Sequence, residues 1–264
     1  MTIPATAPVV SVEDLRRAYQ AAVAGQFRDH ALLPAGPPSS PVVWSPSADE
    51  QVVLVVGATR GAGTSVVGLA LATCAGESRV VECCTVTSSS LGAASTAEMG
   101  QSGDGWVRGT RGEVIIERRG DRVPNLEAMP VPAQPSRPLT VLDCSTDIDL
   151  LLASGGWLGA VARTLSVVAV VSLPTIPGLR RLEVAIDLVG RDRAHAILIC
   201  PSRWPKQLEQ YLGPHSRALR ADGRLTTLPH DPRVAFNGAS AEPLPESLVT
   251  GIAPLLRSLR GTTQ

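Results

Sequence analysis

A glycine-rich segment at residues 57–65 has the residue types best suited to binding chemistry. It reads Gly-Ala-Thr-Arg-Gly-Ala-Gly-Thr-Ser and lies between an apolar run, residues 51–56, and a helical pattern that begins near Ser65. A strand, a glycine-rich turn and a helix start together point backbone N–H groups at an anion, and the helix dipole favours a phosphate there. The segment therefore predicts a phosphate loop. The alternative is a glycine-rich turn that binds no ligand.

A working phosphate loop also carries a lysine for the β- and γ-phosphates and a Ser or Thr hydroxyl for Mg²⁺. Aligned from its end, this segment places Gly63 at the last glycine, Thr64 at the lysine and Ser65 at the magnesium hydroxyl. The lysine position is therefore neutral. Arg60 could reach a phosphate only with a different geometry. The residues expected to contact a nucleotide in this loop are Arg60, Gly61, Ala62, Gly63, Thr64 and Ser65.

Composition limits the classes of function. Lys+Arg and Asp+Glu balance at 24 each, so no strong overall field favours non-specific binding to nucleic acid or membrane. The five cysteines include no Cys-x-x-Cys pair and the four histidines are scattered, which indicates buried, reduced thiols rather than zinc ligands. Neither a signal sequence nor an apolar run of about 20 residues is present. We expect a cytoplasmic protein without a transmembrane segment.

The pattern along the chain predicts two parts. Residues 1–50 hold one amphipathic helix, at 12–27, and then a Pro/Ser-rich tether at 33–47. Residues 51–262 form one domain, in which short apolar runs alternate with helical patterns. That alternation predicts an α/β fold with a mostly parallel sheet and helices on both faces. An insertion at about 88–138 contains a hairpin pattern at 106–123.

The strands of this domain are predicted at 51–56, 79–84, 139–143, 166–171, 194–200 and 224–228. Its helices are predicted at 65–75, 150–163, 178–189, 205–212 and 245–259. The last of these has leucines on one face and only two arginines, so we expect it to pack against the domain rather than on a membrane.

The order and spacing of these motifs resemble the MinD/ParA superfamily of deviant-Walker ATPases, and within it the atypical TadZ/CpaE-like branch. The family loop, Lys-Gly-Gly-x-Gly-Lys-Ser/Thr, falls on residues 59–65, where Thr59 and Thr64 replace both lysines. The other resembling segments are 79–84, 141–145, 168–181, 228–231 and 242–245. The resemblance covers residues 51–260 and implies a three-layer P-loop NTPase fold with ATP or ADP and Mg²⁺ as ligands.

The resemblance also assigns roles to two acidic residues. Asp143 stands at the Walker B aspartate, which would hold Mg²⁺ together with Ser65. Glu82 is the sole acid in the segment that resembles the strand bearing the catalytic aspartates. In an active enzyme, Asp143 and Glu82 would be the catalytic residues. Taken without the family, Asp143 could cap a turn or helix, and Glu82 could make a structural hydrogen bond or ion pair.

Two other regions are candidates for partners. The insertion has arginines at 108, 111, 118, 119 and 122 around Trp106, which could contact DNA, but Glu113, Glu117 and Asp121 interleave with them. We therefore favour a salt-bridged surface hairpin. The N-terminal helix is too short to be stable alone and should dock on a protein partner or on its own domain.

Phosphoryl transfer depends on positioning and on neutralising charge, so the combined loss of two lysines and a catalytic acid should abolish or greatly weaken hydrolysis. Nucleotide binding should be weak or absent. We expect a positioning or scaffold factor for a bacterial envelope, secretion, pilus or DNA-transfer machine, which binds a protein partner or itself and is recruited to the inner face of the membrane. The alternatives are an ATPase that partitions DNA or protein cargo through a nucleotide-dependent dimer, and a DNA-binding adaptor.

Overall fold

The structure, a computed structural model, describes residues 11–23, 43–85, 88–102, 105–120, 123, 125–132, 137–201, 204 and 206–261. The chain forms two compact units, residues 1–40 and 41–264. The first contains helix α1, Val12–Val23, with Val12 and Tyr19 exposed. The end of the predicted helix, residues 24–27, and most of the predicted tether lie outside the described residues.

The second unit is built on one nine-stranded sheet. Its strands are β1 (Gln51–Gly57), β2 (Ser78–Glu82), β3 (Ala97–Gln101), β4 (Trp106–Arg111), β5 (Val114–Arg119), β6 (Leu139–Cys144), β7 (Val168–Ser172), β8 (Ala194–Cys200) and β9 (Leu225–Pro229). They lie in the order β3-β4-β5-β2-β6-β1-β7-β8-β9. Strand β4 is antiparallel to both of its neighbours, and the other pairs are parallel. The predicted mostly parallel α/β sheet is confirmed.

Helices cover both faces of this sheet. They are α2 (Thr64–Ala75), α3 (Ile148–Ala153), α4 (Trp157–Thr164), α5 (Ile176–Val189), α6 (Pro214–Ala221), α7 (Pro232–Asn237), α8 (Glu246–Gly251) and α9 (Ala253–Gly261). Val53 and Val55 of β1 belong to one buried cluster with α2, α8 and α9, whereas Leu54 and Val56 belong to another with α4 and α5. The alternation of the strand thus supplies both cores of a three-layer fold. Within the described residues, no helix is long and apolar enough to span a bilayer.

Three predicted helices were wrong in detail. The helix expected at 150–163 is divided into α3 and α4 around Gly155 and Gly156, because glycine is a poor helix former and the chain there passes the backbone of Glu127 closely. The helix expected at 205–212 is a 3₁₀ turn, Lys206–Tyr211. The terminal helix is divided into α8 and α9 next to Gly251, and its leucines are buried, which confirms that it packs against the domain.

The insertion is more closely joined to the domain than a surface hairpin would be. Strands β4 and β5 form the predicted hairpin, but β5 also pairs in parallel with β2, so the insertion extends the main sheet. The domain also includes residues before the predicted start at Gln51. Trp44 packs edge-on against Trp157 with ring centroids 5.3 Å apart, and Glu50 is buried. The second compact unit accordingly extends back to residue 41.

Candidate functional site

The glycine-rich loop connects the carboxyl end of β1 to the start of α2, as predicted. Gly61 and Gly63 have φ values of 69° and 91°, in the left-handed region that favours glycine. A Cβ atom on Gly63 would lie 2.5 Å from the Cδ1 atom of Ile199. A Cβ atom on Gly57 would lie 2.9 Å from the carbonyl oxygen of Thr59. The loop therefore needs glycine at 57 for space and at 61 and 63 for conformation, while a Cβ atom at 63 would also displace the end of the Ile199 side chain.

Backbone hydrogen bonds fix this loop and leave some of its donors free. The Ala58 N–H donates to a carbonyl oxygen of β7 at 2.8 Å, which ties the loop to the sheet. The N–H groups of Gly61, Gly63, Thr64 and Ser65 have no acceptor in the described part of the chain. Converging N–H groups at a helix start form an anion-binding nest. The geometry of the predicted phosphate loop is thus present.

A cleft of about 540 Å³ opens over the loop. It is lined by the loop and the first turn of α2. Its lining also includes a mostly apolar set, Leu173, Ile199, Pro229, Val234, Ala239 and Leu248, together with His230 and Asp231. Its volume lies within the range that small-molecule sites usually occupy. The lining therefore offers a ligand both polar groups and apolar surface.

Positive charge is scarce in this cleft. Thr64 occupies the lysine position with an uncharged side chain that is only 8% exposed. The side chain of Arg60 is 88% exposed, and its guanidinium lies 3.9 Å from the carboxylate of Asp147. Asp147 and Asp231 also line the cleft. Among the described residues that line the cleft, Arg60 is the one arginine or lysine.

Asp143 lies at the carboxyl end of β6 and is fully buried. Neither carboxylate oxygen has a hydrogen bond of normal geometry within the described residues, so Asp143 does not cap a turn or helix. Burial raises the pKa of Asp143 to about 7; the nearby Ser65 hydroxyl lowers it in part, and the negative charge of Glu82 raises it further. A buried carboxyl group without a hydrogen-bond partner can be satisfied by a water molecule or by a cation. Asp143 and Ser65 are oxygen donors of the kind that Mg²⁺ binds, so the pair fits this ion, and its role as a metal site stays a prediction.

Glu82 is opposite Asp143 in the register of β2 and β6. Its buried carboxylate accepts hydrogen bonds from the Ser89 hydroxyl at 2.7 Å and from the N–H groups of Ser90 and Leu91 at 2.6 and 2.9 Å. These bonds agree with the structural alternative for Glu82, and its catalytic role stays a prediction. Ser90 was not predicted as a site residue. Its hydroxyl donates to the Ser65 hydroxyl at 2.7 Å, and the only sequence signal was the serine run at 88–90.

Cysteines surround these carboxylates. Burial is the main cause that raises the pKa of Cys83, Cys84 and Cys144, the last to about 11. The cysteines have no disulfide partner in the described residues, and four of the five are buried, as the apolar sequence context predicted. These thiols are protonated at neutral pH, so they supply packing rather than nucleophiles or metal ligands.

The described basic and aromatic side chains of the hairpin make contacts within the protein. Trp106 is fully buried, and its indole N–H donates to the carbonyl oxygen of Val131 at 2.8 Å, so its ring cannot stack on a base. Arg108 pairs with Glu117 at 3.0 Å. The remaining described arginines of the hairpin are also engaged: Arg111 with the carbonyl oxygens of Ser240 and Glu242, Arg118 with Glu98, and Arg119 over the Trp106 ring. Arg122 lies outside the described residues. The salt-bridged alternative is therefore the correct one for the described part of the hairpin, although Arg108, Arg111 and Trp106 are more buried than a surface hairpin implies.

Solved structures share this fold. The chain resembles the structure of a protein described as a plasmid partition protein from Borrelia burgdorferi bound to AMPPNP, with 10% identity, a TM-score of 0.51 and coverage of 81% of this chain and 99% of the other. It also resembles the MinC:MinD cell division complex of Aquifex aeolicus, with 13% identity, a TM-score of 0.50 and coverage of 80% and 96%. No family model matches the sequence, and no curated protein is similar to it in sequence. At this identity the likeness shows the MinD/ParA P-loop NTPase fold.

Proposed function

We propose that this protein is a MinD/ParA-like scaffold or positioning factor of the TadZ/CpaE type, in which nucleotide hydrolysis is lost or very weak. It would serve a bacterial envelope, secretion, pilus or DNA-transfer machine and be recruited from the cytoplasm to the inner face of the membrane. One observation carries the proposal. The loop keeps a nest of free N–H groups, while the lysine position holds Thr64 and the Arg60 side chain extends into solvent.

The charge around the nest is the physical reason. The transition state of phosphoryl transfer spreads negative charge over the transferred oxygens, and enzymes stabilise it with fixed cations. Here Thr64 adds no charge, and Asp147 and Asp231 at the rim oppose an anionic ligand. Mg²⁺ on Ser65 and Asp143 would be the main positive charge at the phosphates. We infer that ATP or ADP binds weakly with Mg²⁺ and is not turned over at a useful rate.

Restoring the lysine tests this inference. Thr64→Lys should tighten binding of Mg²⁺-AMPPNP by about tenfold or more, because a hydrogen bond to a charged group contributes more than a neutral one. Thr64→Met is the matched control, since it has a similar length without the charge. Titration calorimetry measures both, and wild-type protein should release no phosphate from ATP above a buffer blank. Equal affinities of the two variants would show that the missing lysine is not the cause.

An active ATPase with a nucleotide-dependent dimer is the second candidate. The unpaired carboxylate of Asp143 next to Ser65 favours it, since this pair suits Mg²⁺ and the related partition structure holds AMPPNP. This function requires Mg²⁺-dependent phosphate release that disappears in Asp143→Ala and Ser65→Ala. It also requires that the molar mass in light scattering doubles when ATP is added. The scaffold proposal instead expects self-association or partner binding that ATP does not change.

Helix α1 is the proposed contact for a protein partner. Its exposed side chains include Val12 and Tyr19, and its apolar residues recur at helical spacing. Removing residues 1–40, which form a separate compact unit, should abolish capture of the partner complex from cells and leave the melting temperature of the remaining unit unchanged. Retained capture would place the partner contact on the sheet domain instead.

A further inference from the structure

A short turn after β2 reaches the residue predicted to hold the metal. We call residues 88–91, Ser-Ser-Ser-Leu, the serine turn. The Glu82 carboxylate fixes this turn, because it accepts hydrogen bonds from the Ser89 hydroxyl and from the N–H groups of Ser90 and Leu91. Leu91 is fully buried in the same apolar cluster as α2. The turn is therefore fixed next to the first turn of α2.

The serine turn makes a hydrogen bond to the Ser65 oxygen, which is the oxygen predicted to bind Mg²⁺. The Ser90 hydroxyl donates to the Ser65 hydroxyl at an oxygen–oxygen distance of 2.7 Å. A magnesium ion binds its ligands at about 2.0–2.1 Å in near-octahedral geometry and tolerates little distortion. The Ser90 hydrogen bond takes one of the two lone pairs of the Ser65 oxygen and fixes the direction of the other. An ion at Ser65 must either accept that direction or displace the Ser90 hydrogen bond. The free donors of the nest, by contrast, are the N–H groups of the loop backbone, to which the Ser90 hydroxyl makes no hydrogen bond within the described residues.

We propose that the serine turn is an internal latch on the metal position of the phosphate loop. Ser90 holds the Ser65 hydroxyl in a fixed orientation, and Glu82 holds Ser90 in place, so the acid that resembles a catalytic residue opposes Mg²⁺ binding at Ser65. The phosphate groups of a nucleotide can still reach the nest without metal. This inference rests on the proposed weak nucleotide site. It predicts that removing the Ser90 hydroxyl raises the affinity for the Mg²⁺-nucleotide and leaves the affinity for the metal-free nucleotide unchanged.

The experiment measures affinity for AMPPNP by titration calorimetry, once with excess Mg²⁺ and once with EDTA. Ser90→Ala should tighten binding with Mg²⁺ by roughly two- to tenfold, the effect of one neutral hydrogen bond, and leave the affinity in EDTA unchanged. Glu82→Gln should shift affinity in the same direction, because a neutral amide holds the turn less strongly. Ser166→Ala is the control, since this exposed serine lies at the opposite end of the sheet. Thermal melts confirm that each variant folds.

The outcomes separate this inference from the proposed function. An affinity of Ser90→Ala that is unchanged, or improved equally with Mg²⁺ and EDTA, overturns the latch. A weaker affinity with Mg²⁺ also overturns it, since Ser90 would then be a metal ligand. If no variant binds AMPPNP in either condition, the latch is refuted while the scaffold function stands. If wild-type protein hydrolyses ATP, the scaffold proposal is refuted. The latch is then still tested by comparing the AMPPNP affinities measured with Mg²⁺ and with EDTA.

Discussion

Replacing Asp143 by asparagine should change how the stability of this protein depends on pH. The carboxyl group is fully buried, its oxygens have no hydrogen bond of normal geometry within the described residues, and its pKa is raised from 3.8 to about 7. The folded state therefore binds the proton more tightly than the unfolded state. Below pH 3.8 both states are protonated. As pH rises from there to about 7, this residue makes the folded state progressively less stable.

The size of the effect follows from the pKa shift. A difference of about 3 units corresponds to about 4 kcal/mol over the whole window, because one unit is about 1.4 kcal/mol. Between about pH 5 and about pH 7.5 the expected share is about 2.5 kcal/mol. The amide side chain of the Asp143→Asn variant does not titrate, so its free energy of unfolding should improve relative to wild type by that amount between these two pH values. Asparagine has nearly the same shape as aspartate, so packing changes little.

Urea denaturation of both proteins at pH 5 and at pH 7.5, followed by circular dichroism, measures the difference. Asp149→Asn removes a negative charge from an exposed position of α3 and is the control. Comparing each variant with wild type at the same pH also cancels the titration of other groups. A difference between Asp143→Asn and wild type that stays constant within about 0.5 kcal/mol across this range would refute a desolvated, unpaired carboxylate.

Three further predictions concern stability. Arg79→Ala should lower the free energy of unfolding in urea by about 3–5 kcal/mol, because the buried Glu50 carboxylate, 2.6 Å away, loses its partner. Gly63→Ala should lower the melting temperature more than Gly61→Ala does: both glycines have positive φ, but only at 63 would a Cβ atom lie 2.5 Å from an isoleucine of β8. The pKa of His195 is lowered to about 4, mainly by burial, so its unfolded form binds more protons between pH 6.5 and 4. The contribution of His195 to stability should therefore fall by about 3 kcal/mol as pH falls through this window, and the free energy of unfolding of His195→Gln should improve relative to wild type by that amount.

Each of these has an outcome that would contradict it. A loss of less than about 1 kcal/mol in Arg79→Ala would mean that water reaches Glu50. Equal melting temperatures of the two alanine variants would mean that the isoleucine moves aside without cost. An unchanged pH slope in His195→Gln would assign the acid sensitivity to another group. The slopes of Asp143 and His195 have opposite signs between about pH 4 and about pH 6.5, so wild type alone should show a flatter profile than either variant.

Hydrophobic pattern and glycine spacing in the sequence predicted the strands and the loop, which depend mainly on neighbouring residues. The apolar runs gave six strands of the sheet, and the glycine spacing at 57–65 gave the loop with its free N–H groups. Alternation predicted the hairpin of β4 and β5 but not the pairing of β5 with β2, because strand partners distant in sequence are chosen by packing across the whole sheet. Helix α6 was missed, since a proline at its first position marks a start that the pattern alone did not separate from the preceding turn.

Site residues whose position is fixed by the sequence motif were predicted. Site residues that are brought together only by tertiary contacts were missed. Thr64 was recognised as a neutral residue because the motif fixes its position. Ser90 was not recognised, because a serine in a loop has no periodic signal and its contact with Ser65 arises only when the insertion folds over α2. Glu50 was assigned to the N-terminal part of the chain, outside the domain, for the same reason: its partner is Arg79, 29 residues later.

The buried charges of this sheet are arranged differently at its two ends, and that arrangement explains why the fold does not need a cation at position 64. At the amino ends of the strands, Arg79 bridges Glu50 and lies 3.7 Å from Glu117, so the buried cation there is fully engaged in joining β2, the insertion and the chain before β1. At the carboxyl ends, Asp143 is buried with no cation within hydrogen-bonding reach among the described residues. The loop is instead held by glycine conformation and by the bond from Ala58 to β7, neither of which needs a ligand. Stability and ligand binding are therefore supplied by different ends of the sheet, and a change at Thr64 should alter nucleotide affinity while leaving the free energy of unfolding within about 1 kcal/mol of wild type.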